Sequence, residues 1–371
     1  MPRSSATRAK LPAAQGYRMP AEWEPHESTW LAWPHLRDDW PGKFEPIPWV
    51  YAEIVRNLAR HERVDLIVND ANWENRARTV LEKAGALSDN VSIHRWRTDR
   101  VWTRDSGCIF LAPPADRHRD KVDSSLLALH FQFNAWAKYP NYTQDEKVGH
   151  RMAKSAGVRV VQPVSVSPFS DQHRVVLEGG AIDVNGCGTL LTTEECLLST
   201  TQQRNPPMDR AAYEQLFADY FGVRSVIWLD SGIAGDDTHG HVDDITRFVA
   251  PHTVVTMVEA NEQNENYAAL YANLGRLRNA RTADGEKLEI VEIPMPRAIV
   301  FEGRQLPASY ANFYIANGAV LVPVFNDPND RIALNTLAKV FPSREIVPIY
   351  SGDLIWGFGA LHCMTQQQPA R

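Results

Sequence analysis

Residues 181–193 read AIDVNGCGTLLTT. Two short apolar runs flank Asn185-Gly186, and Asn-Gly predicts a tight hairpin because both central residues of a type I′ turn take positive φ. Downstream, AAYEQLFADYF (211–221) has helical apolar spacing and SVIWL (225–229) reads as a strand. Strand pair, helix, strand is therefore the unit this stretch defines. A second hairpin is predicted at Asn317-Gly318, between NFYIA and AVLVPVF, followed by a helix in DRIALNTLAKVF (330–341) that the Asp330 side chain is placed to cap. Working outward, Val50, Ile54 and Leu58 stripe a helix before the strand RVDLIVN (63–69). ANWENRARTVLEKAGA (71–86) forms another before VSIHRW (91–96), and NYAALYANLGRLRNA (266–280) a further one. Hairpins interleaved with single helices predict α+β or mixed α/β layering rather than a doubly wound sheet. The unit recurs loosely, without a strict sequence repeat, which permits a pseudo-symmetric assembly of modules.

With no long linker or low-complexity tract, one domain over residues 17–371 is expected, preceded by a flexible segment 1–16. That segment, MPRSSATRAKLPAAQG, carries Arg and Lys but lacks the apolar stretch of a secretory signal. Across 371 residues, Lys+Arg 39 against Asp+Glu 45 leaves a net charge of −6, with no basic stripe to track phosphates, which argues against nucleic acid as a partner. A net negative field instead concentrates cations near clefts. No apolar run approaches the roughly 20 residues of a membrane helix, so no membrane partner is expected. Four cysteines, Cys108, Cys187, Cys196 and Cys363, form no CxxC pair. Such usage argues against a disulfide scaffold and for a reducing compartment, with the cytoplasm as the default.

Four stretches carry chemistry. GDDTHGHVDD (235–244) packs two histidines and four aspartates into ten residues after the strand SVIWL. Its HxH with Asp243 has ligand types that suit zinc or iron, which makes a metal-dependent hydrolase one reading. The final histidine of a binuclear HxHxDH pattern is Asp244 here. In WTRDSG (102–107), Trp102 and Asp105 could flank a bound cation; the bland alternative is a half-buried Trp with a surface Arg104–Asp105 salt bridge. In VVLEGGAIDVNG (175–186), Gly179 and Gly180 after Glu178 let backbone approach something closely, or form only a β-bulge. LHCMTQQQP (361–369) holds Cys363, whose thiol needs a positive neighbour to ionise at neutral pH, with His362 and His241 as candidates. Carboxylates, an aromatic, an imidazole and a thiol together suit a guanidinium. That planar cation offers five N–H donors in a fixed fork, and its inert carbon yields more readily to a thiolate than to water.

WEPHESTWLAWP (23–34), WTRDSG, FNAWAKY (133–139), LEGGAIDVNG (177–186), DDTHGHVDD (236–244), SYANFY (309–314) and HCMTQQQP (362–369) resemble, in order, the motifs of the agmatine deiminases. These belong to a guanidine-modifying superfamily in which the porphyromonad-type peptidyl-arginine deiminases are close relatives. The resemblance implies a five-bladed pseudo-symmetric α/β propeller of ββαβ modules with the active site at the mouth of a central channel. It makes Cys363 the nucleophile, His241 the general acid and base, Asp105 and Asp243 the carboxylates gripping the guanidinium, and Glu178 the acid holding the imidazole. Trp102, Asn312 and Phe358 would line the substrate slot. No cofactor or metal is implied; the partner is a small guanidinium substrate, and relatives commonly form homodimers. The sequence departs from the pattern in three places: Phe358 replaces a glycine of GGGxxHC, Cys108 a proline, and His239 an aspartate. Agmatine hydrolysis in putrescine synthesis is thus the leading expectation. Its rivals are deimination of free or peptidyl arginine or another guanidine, the metal-dependent hydrolase, and a silent propeller that only binds a cation.

Overall fold

The structure is a computed structural model and describes residues 10–114, 125–165, 173–206 and 208–371. Of the segment 1–16 expected to be flexible, residues 1–9 lie outside the described part. In the remainder Leu11 is buried and Ala13–Gln15 form a 3₁₀ turn.

Five times, two strands pair antiparallel, a helix follows, and a further strand returns parallel to the second. Asp183–Val184, Thr189–Thr193, the helix Arg210–Phe221 and Ser225–Leu229 are the unit read from the sequence. Ile109–Leu111, Leu127–Leu129, the helix Val148–Ser155 and Arg159–Val161 form the unit before it. Thr246–Ala250, Thr253–Val258, the helix Tyr267–Asn279 and Glu289–Pro294 form the one after. Tyr314–Ile315, Ala319–Val324, the helix Asp330–Val340 and Glu345–Tyr350 repeat the pattern. The fifth unit joins distant parts of the chain. Gln366–Pro369 pairs antiparallel with His26–Ala32, the helix Ile47–Leu58 follows, and Arg63–Val68 lies parallel. The helix Ala71–Lys83 and strand Val91–Arg95 extend that sheet. With the small hairpin Val300–Phe301 to Arg304–Gln305 these make six separate sheets, and among the described residues none closes on itself. The architecture is mixed α/β, in line with the interleaving of hairpins and helices.

Both hairpins form where Asn-Gly predicts them, but neither is the type I′ turn that motif suggests. The first connection spans Asn185–Gly188, with Gly186 and Gly188 at φ +69° and +97°, while the Asn185 side chain accepts from the N–H groups of Cys187 and Thr189. In the second, neither Asn317 nor Gly318 has positive φ. Gly318 is needed for space, since a Cβ there would run into the His61 ring, and Asn317 clamps the His26 backbone through both ends of its amide. Asp330 does not cap its helix. Its carboxylate accepts instead from the N–H groups of Phe325 and Asp327 and from the Tyr310 hydroxyl, fixing the loop before the helix. Asp70 does cap Ala71–Lys83, accepting from Trp73 N at 2.9 Å, a bond of a type that stabilises by about 1 kcal/mol.

Parallel strands buried on both faces explain near-continuous apolar runs such as that in Arg63–Val68. The helix Ile47–Leu58 buries Ile47, Tyr51, Ile54, Val55 and Leu58 at three- and four-residue spacing, leaving Val50 half-buried at the edge of the stripe. Apolar clusters gather around Trp30, Trp40 and Tyr51, around Phe248 and Phe313, and around Tyr213 and Phe217. Among the described residues no helix is long and apolar enough to cross a membrane.

Candidate active site

The segment leading into the first strand of each unit contributes to one buried cluster. Asp105 precedes Ile109–Leu111, Glu178 precedes Asp183–Val184, and His241 and Asp243 precede Thr246–Ala250. Asn312 precedes Tyr314–Ile315, and Cys363 precedes Gln366–Pro369. Tail residues hold the last strand in place. Gln366 donates to the Cys108 carbonyl, the Gln367 side chain accepts from Arg104, and Gln368 accepts from the Trp30 indole. The Thr103 hydroxyl donates to the Met364 carbonyl at 2.6 Å, tying the WTRDSG segment to the backbone beside the thiol. Arg104 is buried, and among the described residues it bonds to the tail rather than forming the surface pair with Asp105 that the bland reading required.

Cys363, Asp105, Asp243, Glu178, His241, Asn312 and Trp102 are all buried. The thiol lies 3.7 Å from Asp243 Oδ2 and receives an N–H from Asn312 Nδ2 at 3.1 Å. His241 Nδ1 lies 3.9 Å from Asp105 Oδ1 and 4.0 Å from Asp243 Oδ1, and its Nε2 lies 3.9 Å from Glu178 Oε2. Asp105 is gripped from outside by the Trp136 indole N–H and the Gly180 N–H, both at 3.0 Å. Arg204 Nε holds Glu178 Oε1 at 3.0 Å. Among the described residues no hydrogen bond reaches Asp243 Oδ1, Glu178 Oε2 or either ring nitrogen of His241, although all are buried. Buried polar atoms are ordinarily satisfied, so these point to a polar ligand as their partner. The paired glycines have a steric reason: a Cβ on Gly180 would lie 2.5 Å from His241 Nδ1 and 3.0 Å from Asp105 Oδ1.

Burial lifts the Asp105 carboxyl to about 6; His241 opposes the rise, while Asp243 and Glu178 add to it. Burial also favours a neutral His241, but Asp105, then Cys196 and Asp243, outweigh it and hold the imidazole well above its usual range. For Cys363, burial and then Asp243, Asp244 and Asp105 push the thiol well above its usual range, and the Asn312 bond offsets only part. Neither histidine proposed as its positive neighbour hydrogen-bonds to the sulfur: the His362 ring bonds Asp243 and Glu22, and Asn312 is the donor. The site is therefore short of positive charge beside its nucleophile, a deficit that a bound cation would fill.

A cavity of about 380 Å³ opens above Cys363, lined by Trp102, Asp105, Trp136, Tyr139 and Phe358 and, farther out, by Asp38, Asp39, Arg100 and Asp237. Phe358 stands at φ +65°, left-handed backbone that favours the glycine expected there, and Arg304 lies over its ring at 4.5 Å. Gly359 cannot carry a side chain, since a Cβ would lie 2.6 Å from the Trp102 ring. His239 is not brought to the cluster. Its Nε2 meets Ser199 Oγ at 3.1 Å and its Nδ1 lies 3.6 Å from Glu195, so the HxH pair does not converge as the metal reading required. Cys108 is fully buried against Gly149 and the tail.

Residues 18–369 match the family described as Porphyromonas-type peptidyl-arginine deiminase. The chain belongs to this family. An agmatine deiminase of Pseudomonas aeruginosa is 35% identical over 97% of both chains. Among solved structures, an agmatine deiminase of Enterococcus faecalis superposes with a TM-score of 0.85 at 29% identity over 97% of each chain. A C. jejuni agmatine deiminase, with cysteine replaced by serine and substrate bound, gives 0.81 at 27% identity, covering 95% of this chain and 96% of that one.

In this peptidyl-arginine deiminase family member, the site contains residues that motif reading passed over. Trp136 sits in FNAWAKY at φ +58° between Ala135 and Ala137, also left-handed, in a turn that costs about 1–2 kcal/mol per residue and aims the indole at Asp105. Arg204 and Cys196 carry no local signal; Cys196 lies with Glu178 and His241, their ligating atoms within 4.8 Å of one another. The charge deficit beside Cys363 leads to a prediction. At pH 7 a cationic alkylator, 2-chloroacetamidine, should inactivate the protein at least about 100-fold faster than neutral 2-chloroacetamide, whose own rate should climb with pH beyond 9 as the thiol ionises. Equal rates at pH 7 would show that the carboxylates do not select the cation.

Proposed function

We propose that the protein is an agmatine deiminase, converting agmatine and water to N-carbamoylputrescine and ammonia in putrescine synthesis. The observation that carries this reading is the meeting of Cys363 with Asp243, and of Asp243, Asp105 and Glu178 with His241, beneath a cavity that Cys363 and Asp105 line. Asp105 and Asp243 are spaced to flank a guanidinium, whose N–H groups would satisfy Asp243 Oδ1. Asp38 would favour the second ammonium, whereas Asp39 is paired with Arg100, which also bonds Asn141 and stacks over Tyr139 at 4.2 Å, and Asp237 is paired with Lys138 and Arg304.

In this reading the bound guanidinium supplies the positive charge that the free thiol lacks, and Cys363 gives up its proton to solvent as substrate seats. The thiolate adds to the guanidinium carbon, and His241, held protonated by its carboxylates, gives its proton to the departing nitrogen. Ammonia leaves, and a positively charged amidino-thioether remains on Cys363. Water then attacks the same carbon while His241 takes back a proton. Collapse breaks the C–S bond, restores the thiolate and releases the ureido product. Glu178, fixed by Arg204, keeps a negative charge 3.9 Å from the imidazole through both halves.

We also infer that the five units surround this site as the blades of a pseudo-symmetric propeller. Support comes from the equivalent position, just before each unit's first strand, of Asp105, Glu178, His241, Asn312 and Cys363. A catalytic free thiol suits a reducing compartment such as the cytoplasm, and a homodimer is the assembly the resemblance suggests. Ammonia release from agmatine, free arginine and a peptide ending in arginine tests the substrate assignment. Agmatine should lead in kcat/KM by at least about 100-fold, and butylguanidine, lacking only the far ammonium, should be slower by about 10- to 100-fold. Preference for the peptide would end the assignment.

A further inference from the structure

We propose that His362 is a positioning residue: a doubly protonated imidazole strung between Glu22 and Asp243 that fixes the charge and orientation of Asp243 for the guanidinium. The proposal rests on reading the site as a guanidine site.

His362 Nδ1 lies 2.6 Å from Asp243 Oδ2, and Nε2 lies 2.7 Å from Glu22 Oε2, with the residue 2% exposed. A neutral imidazole has one N–H, so its other nitrogen would press a lone pair against a carboxylate oxygen at hydrogen-bond distance. Only the ring with a proton on each nitrogen donates to both carboxylates, and such bonds are charge-assisted. Glu22 cannot swing away to relieve the arrangement. Arg247 Nη2 holds its Oε2 at 2.8 Å, Arg104 Nη2 lies 3.5 Å from the same atom, and the Ile315 N–H holds Oε1 at 2.8 Å. Arg247 is anchored in turn by Asp183 Oδ2 at 2.5 Å. From the other side, the Asn312 side-chain oxygen accepts the His362 backbone N–H at 2.9 Å.

The consequence lies at Asp243. One of its oxygens is spent on His362, and the other, Oδ1, has no hydrogen-bond partner among the described residues beside His241. Burial by itself favours a neutral Asp243 carboxyl. The His362 bond and charge, then His241 and Arg247, reverse that and hold it below the ordinary carboxylate range. Other charged or titratable groups near Asp243 are Asp105, Asp244 and Cys363; those around His362 are Glu22, Asp183, Arg104 and Arg247. A carboxyl with a depressed pKa stays ionised down to low pH. Removing His362 lets burial win, so ionisation of Asp243 moves to higher pH.

The test combines kinetics with a readout that needs no substrate. His362→Gln should raise KM for agmatine on the order of 10- to 100-fold, more than it lowers kcat, and move the acid limb of kcat/KM upward by at least about one pH unit. Glu22→Gln, which keeps the ring's bond to Asp243, should shift the limb the same way by less. A folded His362→Gln protein with the wild-type acid limb overturns the proposal. In the wild type at pH 7.5, ¹⁵N spectra of labelled histidine should show both His362 nitrogens protonated, and a neutral tautomer there overturns it even where the variants do not fold. Should the wild type act on a guanidine other than agmatine, the pH series is run with that compound; this separates failure of the substrate assignment from failure of the His362 role.

Discussion

With alanine at position 363, ammonia release from agmatine is expected to fall at least about 10,000-fold, to background, while agmatine still binds. In the proposed reading the guanidinium is held by Asp105 and Asp243, and each has a partner other than the sulfur. Asp105 is fixed by the Trp136 and Gly180 N–H groups, and Asp243 by His362. Binding, read by calorimetry, should therefore survive within about tenfold or improve, because the thiol contributes no positive charge. Cys196 cannot take over: it lies with Glu178 and His241, whereas Cys363 lines the cavity with Trp102 and Asp105. Mass spectrometry of wild-type protein quenched during turnover should find the added amidine carbon on the peptide containing Cys363. Near-normal ammonia release by the alanine variant would remove the covalent mechanism.

His241→Gln should reduce turnover by at least about 1,000-fold, because in the proposed mechanism one imidazole serves as acid in the first half and base in the second. Glutamine keeps roughly the length and polarity of the ring but cannot shuttle a proton. Its neighbours would lose their positive partner: Asp105, Asp243 and Glu178 all lie within 4.0 Å of the imidazole. Single-turnover assays separate the two roles. The expected result is no rapid burst of ammonia; a full burst followed by a stalled adduct would confine His241 to the hydrolytic half.

The chemistry was more legible in the sequence than the geometry that supports it. Cys363, His241, Asp105, Asp243 and Glu178 all lie in short motifs whose residue types suit a guanidinium, and the fold gathers them. Local pattern also located the hairpins, because turn residues and apolar runs act over a few positions. It misjudged how they turn, since Gly318 answers to a histidine 257 positions earlier. Arg204, Trp136 and Glu22 were illegible as site residues because their partners lie 26, 31 and 340 positions away. The expectation of a histidine beside the thiol failed for the same reason: His362 and Cys363 are neighbours in sequence, yet the ring turns to Glu22 and the sulfur to Asn312.

The pairing of Gln366–Pro369 with His26–Ala32 has a consequence for how the protein is made. The edge of the early strand, which carries Trp30 and Leu31, has to wait for a partner made 334 residues after Ala32, about 20–70 s of synthesis at ordinary ribosomal speed. During that interval a nascent chain displays a bare, sticky edge of the kind that templates aggregation. Cells producing the protein quickly should therefore need chaperone capacity during translation, and the thiol becomes useful only once that edge is covered.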